Sequence, residues 1–171
     1  FMAGDLESEV TGGGDWSQNR LVPDCIKSWV KNKSVVIRNP RSTRPWQHVL
    51  EVLSGYLILA LKLQKNSKIN GEAFNFGPKN FQNKSVINLI QEIKKGLPNF
   101  KWKIKHTKNF YESKLLKLNS QKAKKKLKWS NKLSFQQTIR MTSIWYKNFY
   151  SKKINMLNLS SSQIFDYEKK L

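Results

Sequence analysis

The sequence predicts a mixed fold of the α/β or α+β class, in which short strands alternate with amphipathic helices. Two signals carry this prediction. Apolar residues recur at helical spacing over residues 49–63, and Val35–Ile37 is a β-branched run closed by Asn39-Pro40. Hydrophobic residues make up 39% of the 171-residue chain, and aromatic residues 12%, which is enough to build the packed core of one domain.

Each predicted element has its own local signal. A helix over about 22–31 has Pro23 in its first turn, and a helix over about 85–95 has Ser85 as its N-cap and Gly96 as its stop. Strands are predicted at 73–76, which Gly77-Pro78 ends, and in the alternating stretches 101–105 and 116–118. Further helices are predicted from cap residues and periodicity: Ser120 through Leu127, Ser134 through about Tyr150, and one or two turns over about 161–169.

The helix at 49–63 is the element with the clearest apolar periodicity. Its apolar positions follow a stripe along the helix: Val49, Val52, Leu53, Tyr56, Leu57, Ala60 and Leu61. Gly12-Gly13-Gly14 predicts a tight turn, because glycine adopts backbone conformations that are closed to other residues.

The strong positive charge raises the question of nucleic-acid binding. Lysine and arginine total 32 against 11 acidic residues, which gives a formal charge of +21. Only five of the 32 are arginines, and the lysines are spread along the chain together with abundant asparagine, as an AT-rich coding sequence would produce. A solvated lysine surface is therefore favoured, and a stand-alone basic nucleic-acid-binding protein is the alternative.

The arginines follow a different distribution. Four of the five lie between Arg20 and Arg44, in a chain that otherwise uses lysine. Arginine offers a planar fork of donors that matches two phosphate oxygens at once, which lysine cannot do. Two explanations stay open: a geometric need to bind phosphate, or structural pairing with Asp15, Asp24 or Glu51.

Several classes of protein are disfavoured by what the sequence contains. No apolar run approaches the roughly 18 residues of a membrane span, and the first residues do not read as a secretory signal. The single cysteine, Cys25, falls on the apolar face of the first helix and is predicted to be a buried small hydrophobe. The two histidines, His48 and His106, show no metal-ligand spacing with it.

Several segments together resemble the C-terminal part of the CDP-glucose 4,6-dehydratases, which are extended short-chain dehydrogenases/reductases. The specific block is VIRNPRSTRPWQHVLEVLSGYL at 36–57. The other matching segments are GGGDW at 12–16, NRLVPDCI at 19–26, FNFGP at 74–78, LKLNSQKAKKKLKW at 116–129, TSIWY at 142–146 and SSSQIFDY at 160–167. One departure is Lys128, which stands where the family has a glycine before the tryptophan.

The resemblance implies the substrate-binding part of an extended reductase without a complete Rossmann domain. Residues 1–11 lie outside the family pattern, 12–160 form the nucleotide-sugar region, and 161–171 form a tail. The base motif Tyr-x-x-x-Lys of such enzymes is missing, since none of the five tyrosines is followed by lysine four residues later. The glycines at 12–14 also lack the G-x-G-x-x-G spacing of a dinucleotide cradle.

The family pattern also implies substrate contacts for particular residues. Arg20 and the backbone of Leu21-Val22 border the diphosphate, and Arg44 clamps phosphate. Val36 and Ile37 offer main-chain groups to the cytosine edge, and Glu112 faces the substrate.

Three other residues are assigned supporting roles. Trp46 packs beneath the site, His48 is a hydrogen-bonded structural residue, and Asn75 ties loops through its amide.

The activity implied for the whole enzyme is that of a cytoplasmic lyase of deoxysugar and lipopolysaccharide biosynthesis. Tightly held NAD oxidises the sugar of CDP-glucose at C4, water is lost across C5 and C6, and hydride returns to C6. The resemblance further implies a homodimer and no membrane partner. This chain is expected to supply binding and orientation and to be inactive by itself; a non-catalytic sugar-nucleotide sensor is a further alternative.

Overall fold

The computed structural model describes residues 10–79, 84–105 and 118–171 of the chain. In these ranges, short strands alternate with helices, so the predicted mixed α/β class is confirmed. The elements are β1 (Val10–Thr11), α1 (Leu21–Val30), β2 (Val35–Ile37), β3 (Thr43–Arg44), β4 (Gln47–His48), α2 (Val49–Lys65), β5 (Lys84–Ser85), α3 (Val86–Gly96), β6 (Trp102–Ile104), α4 (Phe135–Ser151) and α5 (Met156–Glu168). A 3₁₀ turn lies at Ser67–Ile69 and a π-helical turn at Ala123–Leu127.

The described strands pair in three short ribbons. β1 runs parallel to β4 with Thr11 opposite His48, and β2 runs parallel to β6 with Val36 opposite Lys103. β3 and β5 are antiparallel, with Arg44 opposite Lys84. The parallel pairs join strands that are far apart in the sequence, with helices in between, which is the arrangement that parallel pairing requires.

The main hydrophobic core lies between α1, β2, α3 and α4. Leu89, Ile90 and Ile93 of α3 are each at most 2% exposed, and they pack with Ile139 and Tyr146 of α4. Burying one such side chain stabilises a fold by roughly 1.5–3 kcal/mol. α3 and α4 therefore supply much of the main core, against which β2 packs.

Helix ends are set by the capping residues that the sequence predicts. Ser85 and Ser134 each accept a hydrogen bond from the backbone of the third helical residue, and each forms a capping box. α1, α2, α3 and α4 are confirmed close to their predicted bounds. The C-terminal helix is longer than predicted, because Asn155 caps it and starts it at Met156.

The predicted strand at 73–76 is wrong. Residues 73–79 pair with no strand in the described ranges, and side chains satisfy the backbone there instead. Gln47 Nε2 donates to the carbonyl of Phe76 at 2.8 Å, and Ser120 Oγ donates to that of Gly77 at 3.4 Å. Since the Ser120 hydroxyl is engaged with Gly77, Asn119 supplies the oxygen that accepts from the N–H of Gln121.

The remaining predictions concern residues outside the described ranges, the single cysteine, and membrane or metal binding. Residues 116–117 of the predicted strand and His106 lie outside them, and Leu118 is not in a strand. Cys25 is fully buried, as predicted, and burial raises the pKa of its thiol far above the ordinary range. Within the described ranges, no helix is long and apolar enough to cross a membrane, and no group of His, Cys, Asp or Glu is placed to hold a metal ion.

Candidate functional site

The glycine turn connects β1 to the loop before α1, and it is confirmed as a turn. Gly14 has a φ of +85°, which side-chain-bearing residues rarely adopt. A Cβ at Gly13 would overlap the ring of Trp145, and one at Gly12 would lie 2.7 Å from Val49 Cγ1. The space above this turn is therefore filled by Trp145, so the turn does not fit the pyrophosphate of NAD, and no cofactor step is assigned to it.

Arg20 precedes α1 and is held by two internal contacts. Its Nη1 forms a salt bridge with Asp15 Oδ2 at 2.8 Å, and its Nη2 donates to the carbonyl of Val10 at 2.7 Å. Burial alone would raise the pKa of Asp15, but hydrogen bonds from Ser17 and the charge of Arg20 bring it below the ordinary value. For Arg20, the structural-pairing alternative is therefore realised, with Asp15 as the partner.

Leu21 and Val22 occupy the first turn of α1. Val22 is 5% exposed and belongs to the main core, and Leu21 packs against that core. Their side chains therefore fix the helix, while their N–H groups belong to its first turn. Such first-turn N–H groups have no intrahelical acceptor and carry the positive end of the helix dipole, which favours an anion.

The edge of β2 presents main-chain groups. Val35 N–H donates to Lys101, and the carbonyl of Ile37 accepts from Lys105, both toward the β6 side. Because parallel strands alternate the side to which successive residues bond, the N–H and C=O of Val36 point to the other edge. Val36 is 42% exposed and Ile37 is 2% exposed. Val36 is therefore the better placed of the two to offer main-chain groups to a base.

Arg44 and Trp46 are fixed by the ribbon of β3 and β5. The Trp46 indole is buried and donates to the carbonyl of Lys84 at 3.0 Å, and Val86 N–H donates to the carbonyl of Ser42. Arg44 is only 8% exposed, and its Nη1 donates to the carbonyl of Thr43 at 3.0 Å. A guanidinium held this firmly has little freedom to lose on binding an anion, provided that the anion can reach it.

His48 is the N-cap of α2. Its Nδ1 accepts from Leu50 N–H at 3.3 Å, and its Nε2 is buried without a hydrogen-bond partner. Burial lowers the pKa of His48 to about 4, so the imidazole is neutral at neutral pH. Its position agrees with the structural role that the sequence analysis gave it.

The predictions for Asn75 and Glu112 both stay predictions. Asn75 is exposed, and within the described ranges the side chains of Gln47 and Ser120 donate to the backbone beside it. Glu112 lies outside the described residues. Both positions came from family resemblance alone, without a local signal in the sequence.

The site residues converge around β1. Arg20 donates to Val10, Val10 pairs with Gln47, and His48 follows on β4. The segment from Arg44 to His48 and the start of α1 are thus joined through one strand of two residues. Of the clustered arginines, Arg20 contacts this strand directly, whereas Arg44 lies on β3, which pairs with β5.

Within the described ranges, Glu51 accepts four hydrogen bonds, whereas the sequence analysis considered it only as a possible partner of an arginine. It is fully buried in the first turn of α2, and its Oε1 accepts from Leu133 N–H at 2.6 Å, from Lys132 N–H at 2.8 Å and from Asn131 Nδ2 at 3.1 Å. Its Oε2 accepts from the Tyr167 hydroxyl at 2.8 Å.

Burial raises the pKa of Glu51, and the hydrogen bonds of its partners oppose that rise. Ser54 and Trp129 extend the network, since Trp129 Nε1 donates to Ser54 Oγ at 3.1 Å. The network joins three parts of the chain that are distant in sequence: α2, the stretch before α4, and α5. The sequence indicates this network only through a glutamate in the first turn of a helix, and acidic residues are common at helix N-termini.

Comparison with known proteins gives a consistent result. The chain is 36% identical over 167 residues, or 97% of its length, to the CDP-glucose 4,6-dehydratase of Salmonella typhimurium. The predicted resemblance is confirmed. The chain spans about half the length of the curated relatives that it matches, since it covers 46% of this dehydratase. No family model matches the chain.

Solved structures show the fold of the short-chain dehydrogenase/epimerase class. The UDP-glucuronic acid 4-epimerase from Bacillus cereus, in complex with UDP-glucuronic acid and NAD, matches with a TM-score of 0.68 at 22% identity, over 82% of this chain and 43% of that one. The dTDP-glucose 4,6-dehydratase from Bacillus anthracis, in complex with NAD, matches with a TM-score of 0.61 at 19% identity, over 81% and 42%. The chain thus folds as somewhat less than half of such a dehydratase or epimerase.

Proposed function

We propose that this chain is the C-terminal, substrate-binding part of a CDP-glucose 4,6-dehydratase and that it binds the CDP group of the substrate. The observation that carries the proposal is the 36% identity to such a dehydratase over 97% of the chain. The redox chemistry is assigned to the remainder of the enzyme, because the Tyr-x-x-x-Lys motif is missing from this sequence. The chain supplies affinity and orientation, and alone it does not catalyse the reaction.

The proposed roles follow from the chemistry of each group. The N–H groups of Leu21 and Val22 face the diphosphate at the positive end of α1. Arg44 adds a charge-assisted contact to phosphate, and the main chain of Val36 reads the cytosine edge. Arg20 contributes by holding the loop before α1 through its salt bridge with Asp15. In this arrangement the diphosphate is held from two sides, and the base is recognised without a dedicated side chain.

The outer face of α2 is the surface that this proposal assigns to contact with the rest of the dehydratase. Leu53, Leu57 and Leu61 lie on successive turns of α2 and are 46%, 67% and 58% exposed. A continuous apolar face of this kind is typical of a protein–protein interface. Homodimer formation and the location in the cytoplasm are carried over from the family as part of the same proposal.

Isothermal titration of the chain with CDP tests the proposal. We expect saturable binding of one CDP per chain, with weaker binding of UDP and no binding of NAD. Arg44→Ala is expected to weaken CDP binding about ten- to a hundredfold, since a hydrogen bond to a charged group contributes roughly 1.5–3 kcal/mol. Arg44→Lys keeps the charge but not the fork of donors, and it should recover only part of the loss.

Arg41→Ala is the matched control, because Arg41 is an exposed arginine three residues away. Thermal melts of all the variants separate loss of binding from loss of folding. Absence of CDP binding by the wild-type chain, or an equal loss in the Arg41 and Arg44 variants, would overturn the proposal. Tight binding of duplex DNA with a steep salt dependence would favour the nucleic-acid alternative instead.

A further inference from the structure

A short lysine-rich segment forms a groove outside the proposed nucleotide-sugar site. Residues 121–128 carry five lysines, and the buried side chains of Ala123, Leu127 and Trp129 anchor the segment in a second, smaller core. Each of these three anchors is at most 2% exposed. The backbone that carries the lysines is therefore rigid, although their side chains reach into solvent.

The lysines divide into two groups with different surroundings. Lys122 and Lys126 both form salt bridges with Glu72, at 3.1 Å and 2.6 Å, and Lys122 also lies over the ring of Phe74. Glu72 thus neutralises part of the charge on this side of the segment. Hydrogen bonds from the two lysines lower the pKa of Glu72, which keeps it ionised.

The other group lines the groove. Lys124, Lys125 and Lys128 surround an open concavity of about 540 Å³, together with the neutral side chains of Gln121 and Ser130. These three lysines form no ion pair with any residue in the described ranges. Three like charges around one concavity repel each other, and a bound anion would relieve that repulsion.

Lys128, the third lysine of the groove, has an unusual backbone conformation. It has a φ of +60°, in the left-handed region that costs most side-chain-bearing residues about 1 kcal/mol. Glycine would adopt this conformation without strain. The residue found here is instead one that adds a positive charge to the rim of the groove.

We propose that this lysine groove binds a small polyphosphate anion, such as the phosphate chain of a nucleotide. Its volume lies in the range of small-ligand pockets. Ammonium groups suit a flexible phosphate chain, because each donates three hydrogen bonds without fixed geometry, and Gln121 and Ser130 add neutral donors. The compact concavity favours a small ligand over a nucleic acid, which would need a positively charged track along its backbone.

Titration of the chain with inorganic tripolyphosphate tests this proposal. With saturating CDP present to occupy the proposed diphosphate site, we expect one further saturable site whose affinity falls as salt is raised. The triple variant Lys124→Gln/Lys125→Gln/Lys128→Gln should bind at least about tenfold more weakly, as expected when three charge-assisted contacts are lost. Its binding of CDP should be unchanged, because none of the three residues belongs to the proposed CDP site.

The matched control is Lys62→Gln/Lys65→Gln/Lys68→Gln, which removes three exposed lysines from the end of α2 and the turn that follows. Both triple variants lower the net charge equally, so only a local site distinguishes them. Equal losses in the two variants, or no saturable binding of tripolyphosphate, would overturn the proposal. So would binding of a single-stranded oligonucleotide that tripolyphosphate does not displace.

Discussion

α2 and α3 differ in how much of their apolar surface they bury. α3 places Leu89, Ile90 and Ile93 in the core and leaves its polar residues outside. α2 buries the carboxyl group of Glu51 and the hydroxyl group of Ser54, whereas its leucine stripe stays largely exposed. The two helices are similar in periodicity, but α2 divides its apolar residues between a buried face that includes Val52 and Leu59 and the exposed leucine stripe. In α3 the apolar residues lie mainly in the core.

The difference shows what holds each helix in place. α3 is fixed by non-directional burial of apolar surface against α4. The N-terminal half of α2 is fixed by directional hydrogen bonds to Glu51 from the stretch 131–133 and from Tyr167. Burying a polar group stabilises a fold only when the group has partners, and the carboxyl group of Glu51 meets this condition with four donors. Among the described residues, Asn131 Oδ1 is the atom of this network that is buried without a partner.

The largest expected effect is that of Glu51→Ala on α2. Two backbone N–H groups, the Asn131 amide and the Tyr167 hydroxyl would lose their acceptor inside the protein. Unsatisfied buried donors cost roughly 1–3 kcal/mol each, and relaxation recovers part of this, so we expect a loss of about 4 kcal/mol in the free energy of unfolding. Urea unfolding followed by circular dichroism measures it.

Glu51→Gln and Tyr167→Phe calibrate this loss. Glutamine keeps one acceptor oxygen, and phenylalanine removes a single donor, so both variants should retain more stability than Glu51→Ala. If Glu51→Ala lost no more stability than Tyr167→Phe, the carboxyl group would not be the centre of the network, and α2 would have to be held by apolar contacts as α3 is.

The second prediction compares one leucine from each helix. Leu89 of α3 is fully buried, and Leu57 of α2 is 67% exposed. Leu89→Ala is expected to lower the free energy of unfolding by about 3 kcal/mol, because it removes packed methyl groups and leaves a cavity. Leu57→Ala should change it by less than about 0.5 kcal/mol. Urea unfolding of the two variants, side by side, measures the difference.

A loss at Leu57 comparable to that at Leu89 would show that the outer face of α2 is covered in solution, for example by a second copy of the chain. Sedimentation of the wild-type chain at several concentrations would then identify self-association as the cause. The leucines of α2 would then be buried in the associated protein, and the contrast in burial between α2 and α3 would hold only for a single copy of the chain.

The same contrast explains which parts of the structure the sequence predicted. Periodicity and serine caps located α1 to α4, since these signals are local. The stripe predicted for α2 is partly exposed, at Leu53, Leu57 and Leu61. The burial of Glu51 was not predicted, because it finds its partners 80 to 116 residues away. Residues 73–76 have the composition of a strand, yet Gln47 and Ser120, both distant in the sequence, satisfy the backbone beside them.

Part of the candidate site could also be predicted from the sequence. Arginine clustering and the block at 36–57 identified the segment that carries Arg44, Trp46 and His48. Composition left the role of Arg20 open, because a salt bridge to Asp15 and a contact with phosphate need the same side chain. The coordinates show the salt bridge, together with a hydrogen bond to the carbonyl of Val10, a backbone group that composition could not indicate.

The last prediction concerns the caps of the two helices and depends on pH. α2 is capped by the titratable His48, and α3 by Ser85. The pKa of His48 in the folded protein is about 4, below its ordinary value of 6.5, because burial disfavours the charged imidazole. The unfolded chain therefore binds a proton that the folded chain does not in the window between these values.

The contribution of His48 to stability should be complete above about pH 6.5 and should be lost as pH falls toward and through about 4. The expected loss is on the order of 3 kcal/mol. His48→Asn removes the titration but keeps a side-chain oxygen to cap α2, so the difference in unfolding free energy between wild type and variant should shrink or change sign across this window. Glu51 titrates in both proteins, and its effect cancels in the difference. A difference that does not vary with pH would mean that the imidazole is protonated, or exposed to water, in the folded state, and α2 would then begin with a cap as insensitive to pH as that of α3.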